Sequence, residues 1–384
     1  MSTRQPIVLE EIDLYVTMKC NLTCDFCSVK AGEYEFDEEL STQRLLDLIT
    51  EAQGLGLKEL HFSGGEPTLR DDLEQLVGHA HGLGLHTRVI TNGYKLGLER
   101  LKALHARGLN DLMVSVDGLE ATHERMRGKR FSYQRALKVL EQARELGMRT
   151  RASTTAFIEN RDDVLPLLRL FDTMGLDIYS VFLGSPLGRG QRFRRDSILN
   201  AEQWRQLTGE IARVVHDEGL RIDVITEQGF QYADQPPVDR AALQGRGTGC
   251  ATLMDSFDFL ILRSDGKLFQ CVFFVPEGAP IGDVRASGLR EQLEQARDTA
   301  LYEPFTRAND RCVSCNEQSA CGTGCRGYAF LHTGDWLKTD PRCAKTGQAP
   351  AATFPLCPIL KYNQNTGRHG GSTEQALRRM PMPT

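Results

Sequence analysis

The sequence contains no long apolar run. No stretch approaches the roughly 18 apolar residues that a membrane helix needs, and residues 1–10 are polar, without the apolar centre of a signal peptide. The formal net charge is −5, so the basic excess typical of general nucleic-acid binders is also missing. These absences predict a cytoplasmic protein with neither a membrane nor a nucleic-acid partner.

A fourth cysteine is missing from the neighbourhood of the first three. Cys20, Cys24 and Cys27 are spaced CxxxCxxC directly after the apolar run 12–17, and the next cysteine is Cys250. Thiolates favour soft or borderline metals, and closely spaced cysteines hold iron–sulfur clusters. Three cysteines on a four-iron cluster leave one iron open to another ligand, so the pattern indicates a reactive centre. The alternative is a zinc knot or three unrelated buried thiols.

Length and composition indicate a soluble protein with a large core. The chain has 384 residues, of which 40% are apolar and 25% charged, which suits two domains or one α/β barrel with an appendage. Its eleven cysteines come without a secretory signal, so metal or redox chemistry is favoured over disulfides.

One unit repeats from residue 11 to about 226. β-type runs at 61–63, 88–91, 112–116 and 179–183 alternate with helical stretches. Six helical stretches end on a glycine followed by an apolar residue, at Gly56, Gly84, Gly108, Gly147, Gly175 and Gly219. Such a glycine ends a helix in the left-handed conformation. The alternation predicts an α/β fold with parallel strands, a partial (β/α)6 TIM-like barrel over residues 8–226.

The CxxxCxxC motif after a first strand resembles the signature of the radical S-adenosylmethionine (SAM) superfamily. The resemblance implies a catalytic [4Fe–4S] cluster on Cys20, Cys24 and Cys27, whose open iron takes the amino and carboxylate groups of SAM. It further implies reductive cleavage of SAM to methionine and a 5′-deoxyadenosyl radical, which removes a hydrogen atom from the substrate. Phe26 stands at the aromatic position that the superfamily packs near the adenine. The same partial barrel is implied.

Residues after the later strands complete the implied SAM site, because parallel barrels carry their chemistry on loops at the strands' C-terminal ends. In the segment Ser63-Gly64-Gly65-Glu66-Pro67, the resemblance assigns Gly64, Gly65 and Glu66 to the SAM amino group, with the Glu66 carboxylate meeting the ammonium. A tight strand-to-helix turn is the alternative. Further implied SAM contacts are Asn92, Ser115, Asp117, Arg127, Ser153 and Leu183, with Thr155 beside them. An ordinary strand residue or a surface arginine is the alternative for several of these.

The loop after the sixth strand is basic. Arg189, Arg192, Arg194 and Arg195 follow Gly188, and this loop is expected to border the open mouth of the barrel. It is therefore predicted to receive an anionic group of the substrate. The alternative is a solvated charged loop.

The C-terminal part is rich in cysteine. After a linker or bridging region at 227–245, Cys250 and Cys271 fit C-x15-G-x4-C, and a β-hairpin over 257–271 is predicted to bring them together. The pattern C-x2-C-x5-C-x3-C and one later cysteine follow, at Cys312, Cys315, Cys321, Cys325 and Cys343. This resembles a SPASM domain, here 246–360. The resemblance implies two auxiliary [4Fe–4S] clusters, one on Cys312, Cys315, Cys321 and Cys343, the other on Cys250, Cys271 and Cys325. A zinc ribbon would leave Cys250, Cys271 and Cys343 unexplained.

Cys357 is left over by the SPASM pattern, and three roles are open for it. It is predicted to be the missing fourth ligand of the second auxiliary cluster. The rivals are a plain buried thiol and a donor of a hydrogen atom to a substrate radical. Residues 361–384 have the composition of a disordered tail.

Peptide modification, by crosslinking or oxidation, is the predicted reaction. The alternative is dehydrogenation or epimerisation of a small molecule such as a sugar, an aminocyclitol or a haem precursor. Because Cys20 lies near the start of the chain, no leader-peptide-recognition domain is expected before the barrel. This lowers the ranking of a peptide substrate without excluding it, since a recognition protein can be a separate chain. The expected reductant is a flavodoxin or ferredoxin. A non-enzymatic iron–sulfur electron carrier is a remote alternative, distinguished by its failure to cleave SAM.

Overall fold

The structure is a computed structural model that describes residues 6–34, 39–192, 197–226, 257–276, 280–299, 301–302, 310–315, 324–340 and 343. The predicted linker and tail therefore lie outside the described residues. So do the predicted ligands Cys250, Cys321 and Cys357, and the loop residues Arg194 and Arg195.

The described strands form one ten-stranded sheet in the order β10-β9-β8-β1-β2-β3-β4-β5-β6-β7. Its strands are β1 (Leu9–Thr17), β2 (Glu59–Gly64), β3 (His86–Thr91), β4 (Asp111–Ser115), β5 (Arg149–Ala156), β6 (Ile178–Leu183), β7 (Asp223–Thr226), β8 (Phe257–Arg263), β9 (Lys267–Phe269) and β10 (Gly282–Asp283). From β8 through β1 to β7 every neighbouring pair is parallel, whereas β9 and β10 are antiparallel additions.

Helices follow most of the parallel strands. They are α1 (Thr42–Gln53), α2 (Leu73–Gly82), α3 (Leu98–Ala106), α4 (Glu120–Arg127), α5 (Ser132–Glu145), α6 (Val164–Met174), α7 (Ala201–Asp217), α8 (Leu289–Ala296), α9 (Asp310–Val313) and α10 (Arg326–Thr333). The predicted α/β fold with parallel strands and crossover helices is confirmed. The strands β1 to β6 form the predicted partial (β/α)6 arrangement, and β7 and β8 extend the parallel set at its two ends.

The six predicted helix ends are all present. Each of the six glycines has a positive φ, between 61° and 100°. The apolar residue after each one donates its N–H to a carbonyl in the last helical turn, as Leu57 does to Ala52 (3.1 Å) and Met148 to Ala143 (3.0 Å). These local signals end each helix at the point where the next strand begins.

The two faces of the sheet differ in chemistry. The face toward the helices carries the main apolar core, including Leu14, Val16 and Phe62. On the inner face the strand register pairs Asp13 with His61 and, one layer above, Tyr15 with Ser63. The inner face is therefore charged low in the barrel and mostly uncharged toward the C-terminal ends of the strands.

The C-terminal part continues the same sheet. The predicted hairpin is present, since β8 and β9 pair antiparallel through Ile261–Phe269 and Leu262–Leu268. Because β8 also pairs with β1, one apolar cluster around Tyr15 and Phe269 has Cys20, Cys27 and Cys271 packed against it. No helix among the described residues is long and apolar enough to cross a membrane.

Candidate active site

A cavity of about 380 Å³ opens at the C-terminal ends of the parallel strands. Its walls come from the loop after β1, from the ends of β2 to β6, and from the C-terminal part of the chain. The lining residues are Tyr15, Cys20, Cys24, Phe26, Cys27, Ser28, Val29, Ala31, Ser63, Gly64, Gly65, Ile90, Thr91, Asn92, Ser115, Arg127, Thr155, Phe157, Phe182, Leu183, Ser185, Arg189, Val272, Phe273 and Tyr328.

The three motif cysteines share this cavity. Cys24 is buried, and Cys20 and Cys27 are partly buried. The Cys27 sulfur accepts a hydrogen bond from the Ala31 N–H (3.4 Å), and the Asn92 amide lies 4.0 Å from the Cys20 sulfur. Burial raises the pKa of the Cys24 thiol to about 12, against the lowering influence of Arg127. A metal that binds here must therefore displace protons from the thiols.

The spacing of the three sulfurs suits a cluster better than one ion. Among the described residues, only Glu11, Asp13 and His61 form a group of three His, Cys, Asp or Glu side chains whose ligand atoms all lie within 4.8 Å of one another. The three motif sulfurs therefore do not all lie within 4.8 Å of one another. Zinc–sulfur bonds of about 2.3 Å would hold the sulfurs within about 4 Å of one another. Hydrogen bonds to sulfur, as at Cys27, are typical of iron–sulfur sites. The donor set therefore fits an iron–sulfur cluster.

Gly64 and Gly65 are required by the close approach of the β1 end. A Cβ on Gly64, whose φ is +117°, would lie 2.4 Å from the Thr17 carbonyl oxygen, and one on Gly65 would lie 2.1 Å from that of Lys19. The N–H groups of Gly65 and Glu66 donate to the same two carbonyls, both at 2.8 Å. The two glycines therefore line the cavity and also fix the start of the cysteine loop.

Glu66 is hydrogen-bonded within the protein. Its side chain is 1% exposed and is not among the lining residues. Oε1 accepts hydrogen bonds from the N–H and hydroxyl of Thr68 and from the Thr91 hydroxyl, and Oε2 accepts one from the Asn92 N–H (2.8 Å). Because four donors of the protein already hold this carboxylate, it braces the loops after β2 and β3. Oε2 accepts only one of these four hydrogen bonds, and the contact of Glu66 with the SAM ammonium stays a prediction.

Asp117 and Arg127 form a buried ion pair at the cavity wall. One carboxylate oxygen of Asp117 accepts from Arg127, and the other accepts from the Thr155 N–H (2.7 Å). Burial lowers the pKa of Arg127, but Asp117 and the nearby cysteines raise it more strongly, so the guanidinium stays charged. It lies 5.5 Å from the centre of the Phe26 ring. Arg127 lines the cavity, whereas Asp117 lies behind it and orients it.

His123 supports this pair from behind. Its Nδ1 accepts the Asp117 N–H at 3.1 Å, and the ring is 1% exposed. Burial and the neighbouring Arg127 lower the pKa of His123 to about 3, so the ring is neutral and its proton is on Nε2. A neutral His123 can accept this backbone hydrogen bond without adding a second positive charge beside Arg127.

The other predicted SAM contacts divide into two groups. Phe26, Asn92, Ser115 and Leu183 line the cavity. Ser153 is buried on β5 opposite Ser115 and is not among the lining residues. Thr155, two residues further along β5, reaches the cavity instead.

Arg189, one residue of the predicted basic loop, is bound to the cysteine loop. The side chain is 8% exposed and donates to the carbonyl oxygens of Cys24 and Ala31, both at 2.7 Å. It also pairs with Glu33 at 3.1 Å. Arg189 donates these hydrogen bonds to the cysteine loop, because the buried carbonyl groups of the loop need donors.

The predicted auxiliary ligands are only partly described. Cys271 borders the cavity wall, being next to Val272, and Cys312 and Cys315 are joined by a backbone hydrogen bond of 3.1 Å. Asp340, 1% exposed, accepts the Cys325 N–H at 2.8 Å, and its carbonyl accepts the Cys343 N–H at 3.0 Å. Asp340 thus ties Cys325 to Cys343, a link that no sequence pattern indicated.

Neither the apolar wall of the cavity nor the charged layer below it was predicted from the sequence. Phe157, Phe182, Phe273 and Tyr328 supply aromatic surface, and each lies in a segment without a distinctive motif. In the lower layer the His61 Nδ1 lies 2.9 Å from an Asp13 carboxylate oxygen, and the Arg88 Nη1 lies 2.8 Å from the His61 Nε2. Burial lowers the pKa of His61, but hydrogen bonds with Asp13 and Glu59 leave it raised.

Comparison with known proteins identifies the class. A profile of the radical SAM superfamily matches residues 14–171. PqqA peptide cyclase of Rhodopseudomonas palustris is 30% identical over 356 residues, which cover 88% of this chain and 90% of that protein. Fe-coproporphyrin III synthase of Methanosarcina barkeri is 27% identical over 362 residues, 89% of this chain and 88% of that one. The chain belongs to the radical SAM superfamily and to its SPASM-type members.

Solved structures agree on the fold. Streptococcus suis SuiB bound to S-adenosylmethionine matches with a TM-score of 0.71 and 19% identity, covering 88% of this chain and 77% of that chain. SuiB bound to precursor peptide SuiA matches with a TM-score of 0.70 and 17% identity, covering 87% and 75%. The protein is thus a radical SAM enzyme, and SAM with one [4Fe–4S] cluster is the cofactor set of its family.

Proposed function

We propose that this enzyme modifies a peptide, by crosslinking or oxidation, in the cavity beside Cys20, Cys24 and Cys27. These three cysteines hold the catalytic cluster. When bound, the reduced cluster and SAM together supply a radical that removes a hydrogen atom from the substrate. The remaining contributions come from the chain itself, which binds SAM, orients the substrate and excludes water.

The lining residues divide this work. Gly64 and Gly65 let SAM lie against the backbone at the end of β2, and Asn92 and Ser115 offer polar groups on the adjoining strands. Arg127 is held by Asp117 at a fixed position, where its guanidinium pairs with the SAM carboxylate. Phe26 and Leu183 flank the adenine. Glu66 and Ser153 act from behind the cavity wall.

The likeness to PqqA peptide cyclase carries the peptide assignment, because it extends over 88% of this chain at 30% identity. A cavity of about 380 Å³ lies within the usual range of ligand sites.

A haem precursor is the second candidate substrate. The observation in its favour is the 27% identity to Fe-coproporphyrin III synthase over 89% of this chain. The lower identity ranks this reaction second.

The cysteine-rich part completes the proposed cofactor set. The two auxiliary clusters are held by seven cysteines of this part, and Cys357 is the remaining ligand. The seven are Cys250, Cys271, Cys312, Cys315, Cys321, Cys325 and Cys343. Cys271 packs against the same apolar cluster as Cys20 and Cys27, which suits electron transfer between the clusters and the cavity. The reductant is a flavodoxin or ferredoxin, and the site of action is the cytoplasm.

The test is a substrate assay under anaerobic conditions. Reconstituted enzyme, SAM and dithionite are incubated with a short peptide encoded beside the gene, and the product is analysed by mass spectrometry. The expected product has lost two hydrogen atoms, and it is absent with the Cys24→Ala variant. A parallel reaction receives an iron coproporphyrin. An unchanged peptide together with a consumed porphyrin would reverse the ranking of the two substrates.

A further inference from the structure

Arg189 binds the cysteine loop at three points. It lies in the short 3-10 helix Gly188–Arg192, after β6. Its Nε donates to the Cys24 carbonyl and its Nη1 to the Ala31 carbonyl, both at 2.7 Å, and its backbone N–H donates to the Cys27 carbonyl at 2.9 Å. One residue thus holds the beginning, middle and end of the segment 24–31.

The backbone around Arg189 lies flat against the same loop. Gly188 has a φ of +56°, and a Cβ on it would lie 2.4 Å from the carbonyl oxygens of both Cys27 and Ser28. Residues 20–31 form no helix or strand. The shape of this loop therefore depends on hydrogen bonds from outside it, and Arg189 supplies three of them.

The charge of Arg189 is less neutralised than that of the other arginine in the cavity wall. Arg127 pairs with the Asp117 carboxylate, whose side chain is 1% exposed. Arg189 pairs with Glu33, whose side chain is 43% exposed. Solvent and salt screen an exposed carboxylate more than a buried one, so Arg189 retains more of its positive potential at the cysteine loop.

We propose that Arg189 is a positioning residue for the cysteine loop and that its charge raises the reduction potential of the catalytic cluster. The inference rests on the proposed function, in which Cys20, Cys24 and Cys27 hold that cluster. Reduction adds one negative charge to a group already surrounded by three thiolates. A nearby buried cation stabilises the reduced state more than the oxidised state.

The test is a redox titration of the full-length, reconstituted enzyme followed by electron paramagnetic resonance. The signal that changes when SAM is added marks the catalytic cluster among the clusters present. At the wild-type midpoint, Arg189→Gln is expected to lower the ratio of reduced to oxidised cluster about tenfold, which is about 59 mV for one electron. Arg189→Lys keeps the charge and is expected to stay close to the wild type.

Two further variants separate the effect of the Arg189 charge on the midpoint potential from any loss of stability in the cysteine loop. Glu33→Gln removes the counter-charge and leaves Arg189 in place, so it is expected to raise the midpoint. Arg70→Gln is the matched control. Arg70 is similarly buried, pairs with Asp72 and donates to backbone carbonyls, but it does not line the cavity. Its midpoint is expected to equal that of the wild type.

Each outcome decides the proposal. An unchanged midpoint in Arg189→Gln with full iron content would overturn it. Should that variant fail to bind the cluster, Arg189→Lys decides, and a midpoint about 59 mV below the wild type although the charge is kept overturns the proposal. Failure of the underlying assignment looks different, because the wild type would then show no SAM-responsive signal, or Cys24→Ala would keep it.

Discussion

At the scale of single residues, position along the strands was predictable and side-chain partners were not. One cavity is lined by Phe26, Asn92, Arg127 and the three motif cysteines. They lie together because each of them follows the C-terminal end of a parallel strand. Glu66 also follows such an end, but its carboxylate is turned toward four donors of the protein. A motif specifies the residue and its place in the chain, whereas two of the four donors come from Thr91 and Asn92 at the end of β3.

Glu66→Ala tests the bracing role directly. Removing the carboxylate leaves the Thr68 and Asn92 N–H groups and the Thr91 hydroxyl without their acceptor, and each unsatisfied buried group costs about 1–3 kcal/mol. We expect the free energy of unfolding to fall by about 2–4 kcal/mol even without SAM, measured by urea denaturation. Glu66→Gln keeps one acceptor oxygen and is expected to lose less. Unchanged stability in the Ala variant would favour the direct contact with SAM instead.

At the scale of secondary-structure elements, the sequence was sufficient to predict features that depend only on residues close together in the chain. A glycine and an apolar residue ended six helices as predicted, since the left-handed turn and its hydrogen bond involve residues close in sequence. The pairing of β8 with β1 joins segments far apart in the chain. No local pattern encodes such a partner, so the extension of the sheet could not be predicted.

Gly84 and Gly82 provide a matched pair for the helix end of α2. Gly84 has a φ of +79°, whereas Gly82 is helical, and a Cβ on either would meet nothing within 4 Å. Gly84→Ala is expected to destabilise the protein by about 1–2 kcal/mol, because the left-handed conformation is costly for other residues. Gly82→Ala is expected to be stabilising by about 0.5 kcal/mol. Equal effects in a thermal or urea unfolding experiment would contradict the assigned cap.

At the scale of the whole molecule, the cavity belongs to both halves of the chain. Val272, Phe273 and Tyr328 close the side that the barrel leaves open, and the Tyr328 hydroxyl donates to the Gly184 carbonyl after β6 at 2.9 Å. The sequence predicted the barrel and the cysteine-rich part separately. Their common wall follows from packing of residues distant in sequence and was therefore missed.

The central claim is that this cavity, through its three cysteines, cleaves SAM reductively. The most direct measurement is the formation of 5′-deoxyadenosine by anaerobically reconstituted enzyme with SAM and dithionite, compared between the wild type and Cys24→Ala. Cys24 is buried in the cavity wall, so its loss removes one of the three thiolates. The account predicts 5′-deoxyadenosine from the wild type and none from the variant, which keeps its auxiliary iron. Undiminished SAM cleavage by the Cys24→Ala enzyme would contradict it.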